Sequence, residues 1–419
     1  MEHEGLTDQV SVAEAAVDHL LGASHFAAAH DLPRLIAESA AILDASDAQA
    51  YLADLQQAML VPFVDDHGAG TGQLLEPLAI DATVAGRAYQ LVDVLTQAEN
   101  GGMTRVWLPL LDGTERLGVL AVSVRDAQVD ELDGVLGSRL RRLAELFADL
   151  VVTKTAYSDT IVRLRRRAEM GLAAELQWSL LPPLSFSAGD VTIAGALEPA
   201  YEVAGDSLDY AVDAERARAA VFDGMGHGVR SSQLATIAMA AYRNARRSGT
   251  GLLPTAAAIH DALLDAFRGA AFTTSVLAEL DTDTGLLSWV NAGHPSPLLL
   301  RGTQLVKVLE CPPAPPLGLR LSADAKRNEL TICQERLEPG DQVLLYTDGV
   351  PEARSPDGEF FGEQRLADLL TRNLAAGLSI PETMRRVVRA LLEHQQSQLS
   401  DDATLLVIAW RDDRPAMQL

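Results

Sequence analysis

Residues 272–300 read FTTSVLAELDTDTGLLSWVNAGHPSPLLL, and the order of their apolar runs decides the fold. Phe272–Leu280, Leu286–Asn291 and Pro297–Leu300 are three strand-type segments in succession, with no helical spacing between them. Parallel strands need a long crossover, usually a helix, so strands that follow one another this closely pair antiparallel. Working outward, the same texture begins near residue 188 and runs to about residue 412. Further strands are expected at Val191–Leu197, Ala217–Phe222, Glu329–Leu337, Gln342–Tyr346 and Ala403–Trp410. Helices are expected at Val229–Arg247, Pro254–Phe267, Glu363–Asn373 and Pro381–His394. A parallel doubly wound sheet does not fit this order, whereas antiparallel sheets covered by helices do.

Upstream, Val106-Trp-Leu-Pro-Leu-Leu and Arg116-Leu-Gly-Val-Leu-Ala-Val-Ser-Val124 flank Asp112-Gly-Thr-Glu, which predicts a hairpin. Ser11–Leu43 has helical spacing broken at His30–Pro33. Met59–Val64 is strand-like, and Ala48–Leu55 is strand-like or, from its alanines, helical. Between the two regions, Leu136, Leu140, Leu143, Phe147, Leu150, Lys154, Tyr157, Ile161, Leu164 and Ala168 alternate in steps of four and three. Only Lys154 interrupts this seam. It is read as a parallel dimeric coiled coil, the alternative being a long helix lying on one of the two domains. A register break near Gly171 and Pro182-Pro183 end it. The basic run from Arg163 to Arg167 is read as the solvated flank of that helix.

The chain has 419 residues, which argues for two or three domains. With 48% apolar and 22% charged residues it is an ordinary globular sequence, not a disordered one. Its formal charge of −24, from 34 Lys and Arg against 58 Asp and Glu, argues against nucleic-acid or anionic-membrane binding. No apolar run approaches the roughly 18 residues of a membrane span, and the acidic N-terminus lacks an export signal. A cytoplasmic location is expected. Cys311 and Cys333 are accordingly expected as free thiols.

Asp-Gly occurs five times, beginning at Asp112, Asp133, Asp223, Asp348 and Asp357. The first and last suit turns, and Asp133 sits near the start of the long helix. Asp223 and Asp348 differ: each ends an apolar β run, Ala219-Ala-Val-Phe and Val343-Leu-Leu-Tyr-Thr, without a simple return strand after it. A carboxylate at the end of a rigid strand is well held, and the glycine lets backbone approach a ligand. Asp206 follows Gly205 in the same manner, and Asp401-Asp402 precede the apolar terminal strand. Carboxylates gathered beside buried strands repel one another and carry a desolvation cost, which hard divalent cations remove. The sequence has no Gly-x-Ser-x-Gly elbow and no His-Glu-x-x-His, and Gly224–Gly228 lacks the lysine of a nucleotide phosphate loop.

Residues from about 170 to 412 resemble the SpoIIE family of bacterial phosphatases, a branch of the metal-dependent type 2C protein phosphatases. The stretches that carry the resemblance occur in the family's order. They are Leu176-Gln-Trp-Ser-Leu-Leu-Pro, Val203-Ala-Gly-Asp, Phe222-Asp-Gly-Met-Gly-His-Gly, Phe272-Thr-Thr and Asn291-Ala-Gly-His-Pro, followed by Leu337-Glu-Pro-Gly-Asp, Tyr346-Thr-Asp-Gly-Val-Pro-Glu-Ala-Arg and Asp401-Asp-Ala-Thr. One departure is Ala204 in place of the usual first glycine before Asp206. The segment ahead of residue 130 resembles a GAF domain, a small sensor module.

Together these imply an α+β chain. A GAF-like α/β sensor domain over 1–130 is followed by a helical coiled-coil linker over 131–183, an α-β-β-α sandwich of antiparallel sheets over 184–412, and a tail at 413–419. The resemblance implies a binuclear Mn²⁺ or Mg²⁺ centre. By the same resemblance, Asp223 matches the aspartate that bridges both ions, Gly224 the neighbour that offers its carbonyl, Asp206, Asp348 and Asp401 further ligands, and Asp402 a ligand or an outer support. Asp206, Asp223, Asp348 and Asp401 are thereby the expected catalytic residues, serving water activated between two cations. His227 and His294 sit in glycine-flanked motifs and are assigned no catalytic role. The implied substrate is phosphoserine or phosphothreonine on a phosphorylated anti-anti-sigma (STAS-type) protein. A small-molecule sensor ligand and a homodimer are also expected. The alternative is a catalytically silent scaffold that binds such partners.

Overall fold

The computed structural model describes residues 14–64, 75–198, 201, 205–320, 329–396 and 401–410. Val203 and Ala204, and the expected tail at 413–419, lie outside them. The chain divides into two compact units, Met1–Ala168 and Glu169–Leu419.

The first unit is built on one antiparallel sheet. Its strands are β1 (Ser46–Ala53), β2 (Met59–Phe63), β3 (Leu78–Ala79), β4 (Leu95–Ala98), β5 (Met103–Asp112) and β6 (Glu115–Arg125), in the order β3-β2-β1-β6-β5-β4. The expected hairpin is β5–β6, closed by Asp112 opposite Glu115 with Gly113 at φ 59°. Along β5, Val106, Leu108 and Leu110 alternate with Trp107, so the two-residue period sends them to opposite faces. The first three share a core with α2 (Leu32–Ile42) and α4 (Val135–Thr155), whereas Trp107 joins Val119, Ala121 and α3 (Val84–Leu91). A further helix, α1, covers 14–24.

The helical stretch after residue 130 corrects the expected linker. Leu136, Leu140, Leu143 and Phe147 are buried in the first unit's core, joined by Ile161 from α5 (Asp159–Arg165). The helix stops at Thr155, Arg166 is extended, and α6 (Leu172–Trp178) starts afresh after Gly171. The first half of the seam is therefore buried inside the first unit, while Leu150 and Leu164 are half-buried and Tyr157 is exposed. An amphipathic helix on a globular core repeats apolar residues at the same three-and-four spacing as a dimer, so the pattern alone did not separate the two. Lys154, its one interruption, donates to the carbonyls of Ser24 and Ala27 at 2.7 and 2.8 Å.

The second unit has two antiparallel sheets. One orders β15 (Cys333–Arg336), β12 (Leu286–Ala292), β11 (Thr273–Asp281), β10 (Arg216–Gly224) and β9 (Asp206–Val212). The other orders β14 (Gln304–Val308), β13 (Leu298–Arg301), β16 (Asp341–Tyr346), β17 (Ala403–Trp410), β8 (Val191–Glu198) and β7 (Ser185–Ala188). Side chains of both sheets, among them Leu208, Val221, Val276, Leu345 and Leu406, fill the space between them. On the outer faces, α7 (Val229–Arg247) and α8 (Leu252–Phe267) cover the first sheet, and α9 (Glu363–Ala375) and α10 (Ile380–His394) the second. This is the layering expected from the order of strands and helices. Along α7, Leu234, Ala235, Ala238, Met239, Tyr242 and Ala245 are buried, the stripe of a helix with one face on a sheet.

Cys311 and Cys333 form a disulfide with Cα atoms 6.0 Å apart, which corrects the expected free thiols. Both pack at the margin of the inter-sheet core, where β15 returns beside β12. The inference of a reducing compartment from cysteine usage falls with that correction. No helix among the described residues is long and apolar enough to cross a membrane.

Candidate active site

Antiparallel pairing sets Asp206, the first residue of β9, directly opposite Asp223 near the end of β10. Asp348 follows β16, and Asp401 and Asp402 precede β17, so the second sheet supplies the other carboxylates. Hydrogen bonds join these strand ends. Thr347 donates its hydroxyl to Asp206 Oδ2 at 2.6 Å and accepts from the Thr404 N–H at 2.9 Å. Asp402 Oδ2 accepts from the N–H groups of Gly205 and Asp206, at 2.7 and 3.2 Å. Gly224 N–H donates to the Gly205 carbonyl at 3.1 Å.

Glycine is required at this junction. A Cβ on Gly349 would collide with the Asp402 carbonyl oxygen, and one on Gly205 with the carbonyl of Gly224. Gly205-Asp206, Asp223-Gly224 and Asp348-Gly349 thus mark places where backbones approach at contact distance.

The electrostatics are those of a site short of positive charge. Asp206 is buried, and its carboxyl is pushed well above the ordinary carboxylate range by burial, then by Asp223 and Asp402. Asp223, half-buried, is raised from 3.8 to about 7 by desolvation first and then by Asp348 and Asp401. Asp348 reaches solvent and is also raised, by partial loss of water and then by Glu352 and Asp401. The charges acting on Asp206 and Asp223 are all carboxylates. Ion pairing would have lowered these values; like-charge crowding raises them.

The expected ligand residues are thus brought to one end of the two sheets. Among the described residues no three acidic, His or Cys side chains converge into a closed ligand cluster. The carboxylates stand as two overlapping repelling sets, Asp206 with Asp223 and Asp402, and Asp223 with Asp348 and Asp401. As a donor set they fit hard divalent cations: oxygen atoms only, excess negative charge, and an opening to water at Asp348 and Asp401. Asp402 is already committed to two backbone donors, which suits an outer support more than a ligand.

His227 lies exposed on the turn after β10. His294 is buried, its Nδ1 2.8 Å from the Thr274 hydroxyl, and burial pushes its pKa down to about 3. Sequence reasoning gave no role to Thr347, Thr274 or Asn291. Each lies within a quoted stretch, but threonine and asparagine at strand ends carry no signal by themselves.

Residues 213–411 match the family model for stage II sporulation protein E (SpoIIE). The chain is 32% identical to protein IcfG of Synechocystis sp. over 140 residues, covering 33% of this chain and 21% of that protein. It is 26% identical to phosphoserine phosphatase RsbU of Bacillus subtilis over 245 residues, covering 58% and 70% respectively. Phosphoserine phosphatase RsbP of the same organism is 27% identical over 197 residues, covering 45% and 46%. The chain thus spans about a fifth, seven-tenths and just under half of these relatives' lengths. A crystal structure of the RsbU and RsbW domains of a Mycobacterium tuberculosis protein shows 25% identity and a TM-score of 0.45, covering 54% of this chain and 62% of that one. The five aspartates at the strand ends fall within or just before the matched segment, and these matches support a phosphatase domain of the SpoIIE type in the second unit.

Proposed function

We propose that the chain is a protein serine/threonine phosphatase that works with two divalent cations, Mn²⁺ or Mg²⁺. The observation that carries this reading is the in-register pair Asp206–Asp223, each driven up by burial and by other carboxylates rather than neutralised by a base. Such an arrangement costs stability unless cations occupy it. Asp206, Asp223, Asp348, Asp401 and the Gly224 carbonyl would hold the ions, with Asp402 keeping Gly205 and Asp206 in place. When bound, the cations supply Lewis acidity and an activated water for attack on a phosphate ester. The chain's own contribution is positional. Thr347 fixes one oxygen of Asp206, Asp402 fixes the backbone on which Asp206 stands, and the glycines let neighbouring strand ends of each sheet approach at contact distance.

The names of RsbU and RsbP support phosphoserine as the group hydrolysed. The substrate is then a phosphorylated anti-anti-sigma (STAS-type) protein, and the first unit is a GAF-like sensor that regulates turnover in the cytoplasm. The decisive test is phosphate release from such a phosphoprotein with Mn²⁺, with EDTA, and by the Asp223→Asn variant. Release that needs Mn²⁺ and collapses in the variant is expected. No release with any metal would favour a silent scaffold.

A further inference from the structure

β12 ends in Asn291-Ala-Gly-His294, and this short turn is held from two sides. The Asn291 side chain accepts from the His294 N–H and donates to the His294 carbonyl, both at 2.8 Å. Gly293 takes a φ of 71°, with Pro316 packed where a Cβ would stand. A side chain closed on the backbone in both directions leaves the turn little freedom. The imidazole is therefore delivered to a fixed place.

That place is beside the site. His294 is 7% exposed, and its Nδ1 lies 2.8 Å from the Thr274 Oγ, which in turn stands 3.4 Å from Asp223 Oδ2. Thr273, the preceding residue, donates its hydroxyl to the Asp223 carbonyl at 2.8 Å. A threonine hydroxyl has one proton to give. It can face Asp223 only if the ring donates to it from Nδ1. The other tautomer would turn the hydroxyl proton toward the ring and away from Asp223, against the Thr274-to-Asp223 donation.

We propose that His294 is a positioning residue: donating from Nδ1 to Thr274, it points that hydroxyl's proton at Asp223 Oδ2 and fixes how Asp223 presents its carboxylate to a divalent cation. This rests on the reading of Asp223 as a cation ligand. Burial keeps the ring neutral against the pull of the Tyr346 backbone, so it carries a single N–H proton across the working pH range. A neutral ring also adds no positive charge to compete with the cations. The arrangement is the general one in which a partner behind the ligand sets its orientation and basicity.

The test is calorimetric titration of the full chain with Mn²⁺, alongside thermal unfolding of each metal-free variant. Asp223→Asn should abolish binding, which checks the underlying reading. Thr274→Val and His294→Ala should each weaken Mn²⁺ binding about tenfold, and the double variant should be no worse than the poorer single one. Thr274→Ser, which keeps the hydroxyl, should restore wild-type affinity. If His294→Ala fails to fold, Thr274→Val decides alone, because its shape barely changes. Wild-type Mn²⁺ affinity in Thr274→Val, with binding lost in Asp223→Asn, overturns the relay and leaves the cation site standing. Undiminished binding in Asp223→Asn overturns both.

Discussion

Asp206 and Asp209 lie three residues apart on β9, and both are buried. The odd spacing sends them to opposite faces of the sheet. Asp209 points at α7, where the Arg243 guanidinium grips it with two hydrogen bonds of 3.0 and 2.8 Å and Arg246 approaches to 3.3 Å. Asp206 points toward the junction of the sheets and meets Asp223 and Asp402. One buried acid is surrounded by cations that the protein supplies; the other is surrounded by acids. The first is structural because its charge is balanced within the fold. The second is the one the proposed function uses, because its balance must come from outside the fold.

Substitution at the two corners should break the comparison in opposite ways. Asp223→Asn should lower Mn²⁺-dependent phosphate release by more than ~100-fold, measured as initial rates on the phosphoprotein. Asp209→Asn should keep metal-dependent release but leave two guanidinium groups without their counter-charge, costing about 3 kcal/mol of folding free energy in chemical denaturation. Equal loss of activity in both variants, with equal stability, would erase the distinction.

Stability against pH sharpens the same contrast. Folded Asp223 releases its proton near 7, against 3.8 for an ordinary aspartate. Between these values the folded chain holds more protons than the unfolded one, so stability falls as pH rises. The contribution is complete below the lower value and lost through the upper one; Asp206 acts with the same sign. The metal-free chain should melt higher at pH 5 than at pH 8, and Asp223→Asn should reduce that difference. Stabilisation by Mn²⁺ should run the other way and grow with pH, because ligands must be deprotonated. A metal-free melting temperature that rises from pH 5 to pH 8, with no response to the variant, would contradict the crowded-carboxylate reading.

The difference between these corners was only half legible in the sequence. Asp223 and Asp348 stood out because an apolar run ended in Asp-Gly, unlike Asp112 and Asp357, which close turns. β9 went unseen because Asp209 interrupts its apolar pattern, and only the position of α7 explains why a charge is tolerated there. Thr347 and Thr274 were likewise hidden, since their roles depend on strand register and on contacts between sheets rather than on local composition. The Cys311–Cys333 bond crosses such a distance too. For the stretch from Leu136 to Ala168 the reverse held: the pattern was strong but admitted two explanations, and the sheet of the first unit, assembled from residues 46–125, chose between them.

Lys154 tests that last choice and extends the comparison to the first unit. Like Asp209, it is a buried charge answered from within, here by the carbonyls of Ser24, the last residue of α1, and of Ala27, with Tyr157 beneath it. A cation at a helix C-terminus also meets the negative end of the dipole. As a flaw in a dimer seam, Lys154 should improve on replacement: Lys154→Leu would strengthen association, and melting would rise with protein concentration. As a cap inside one chain it should not. Lys154→Leu then removes a charged donor from two carbonyls and lowers stability by about 1–2 kcal/mol, independent of concentration. Sedimentation and melting of this variant at two concentrations separate the outcomes, and a concentration-dependent gain would return the seam to an interface between chains.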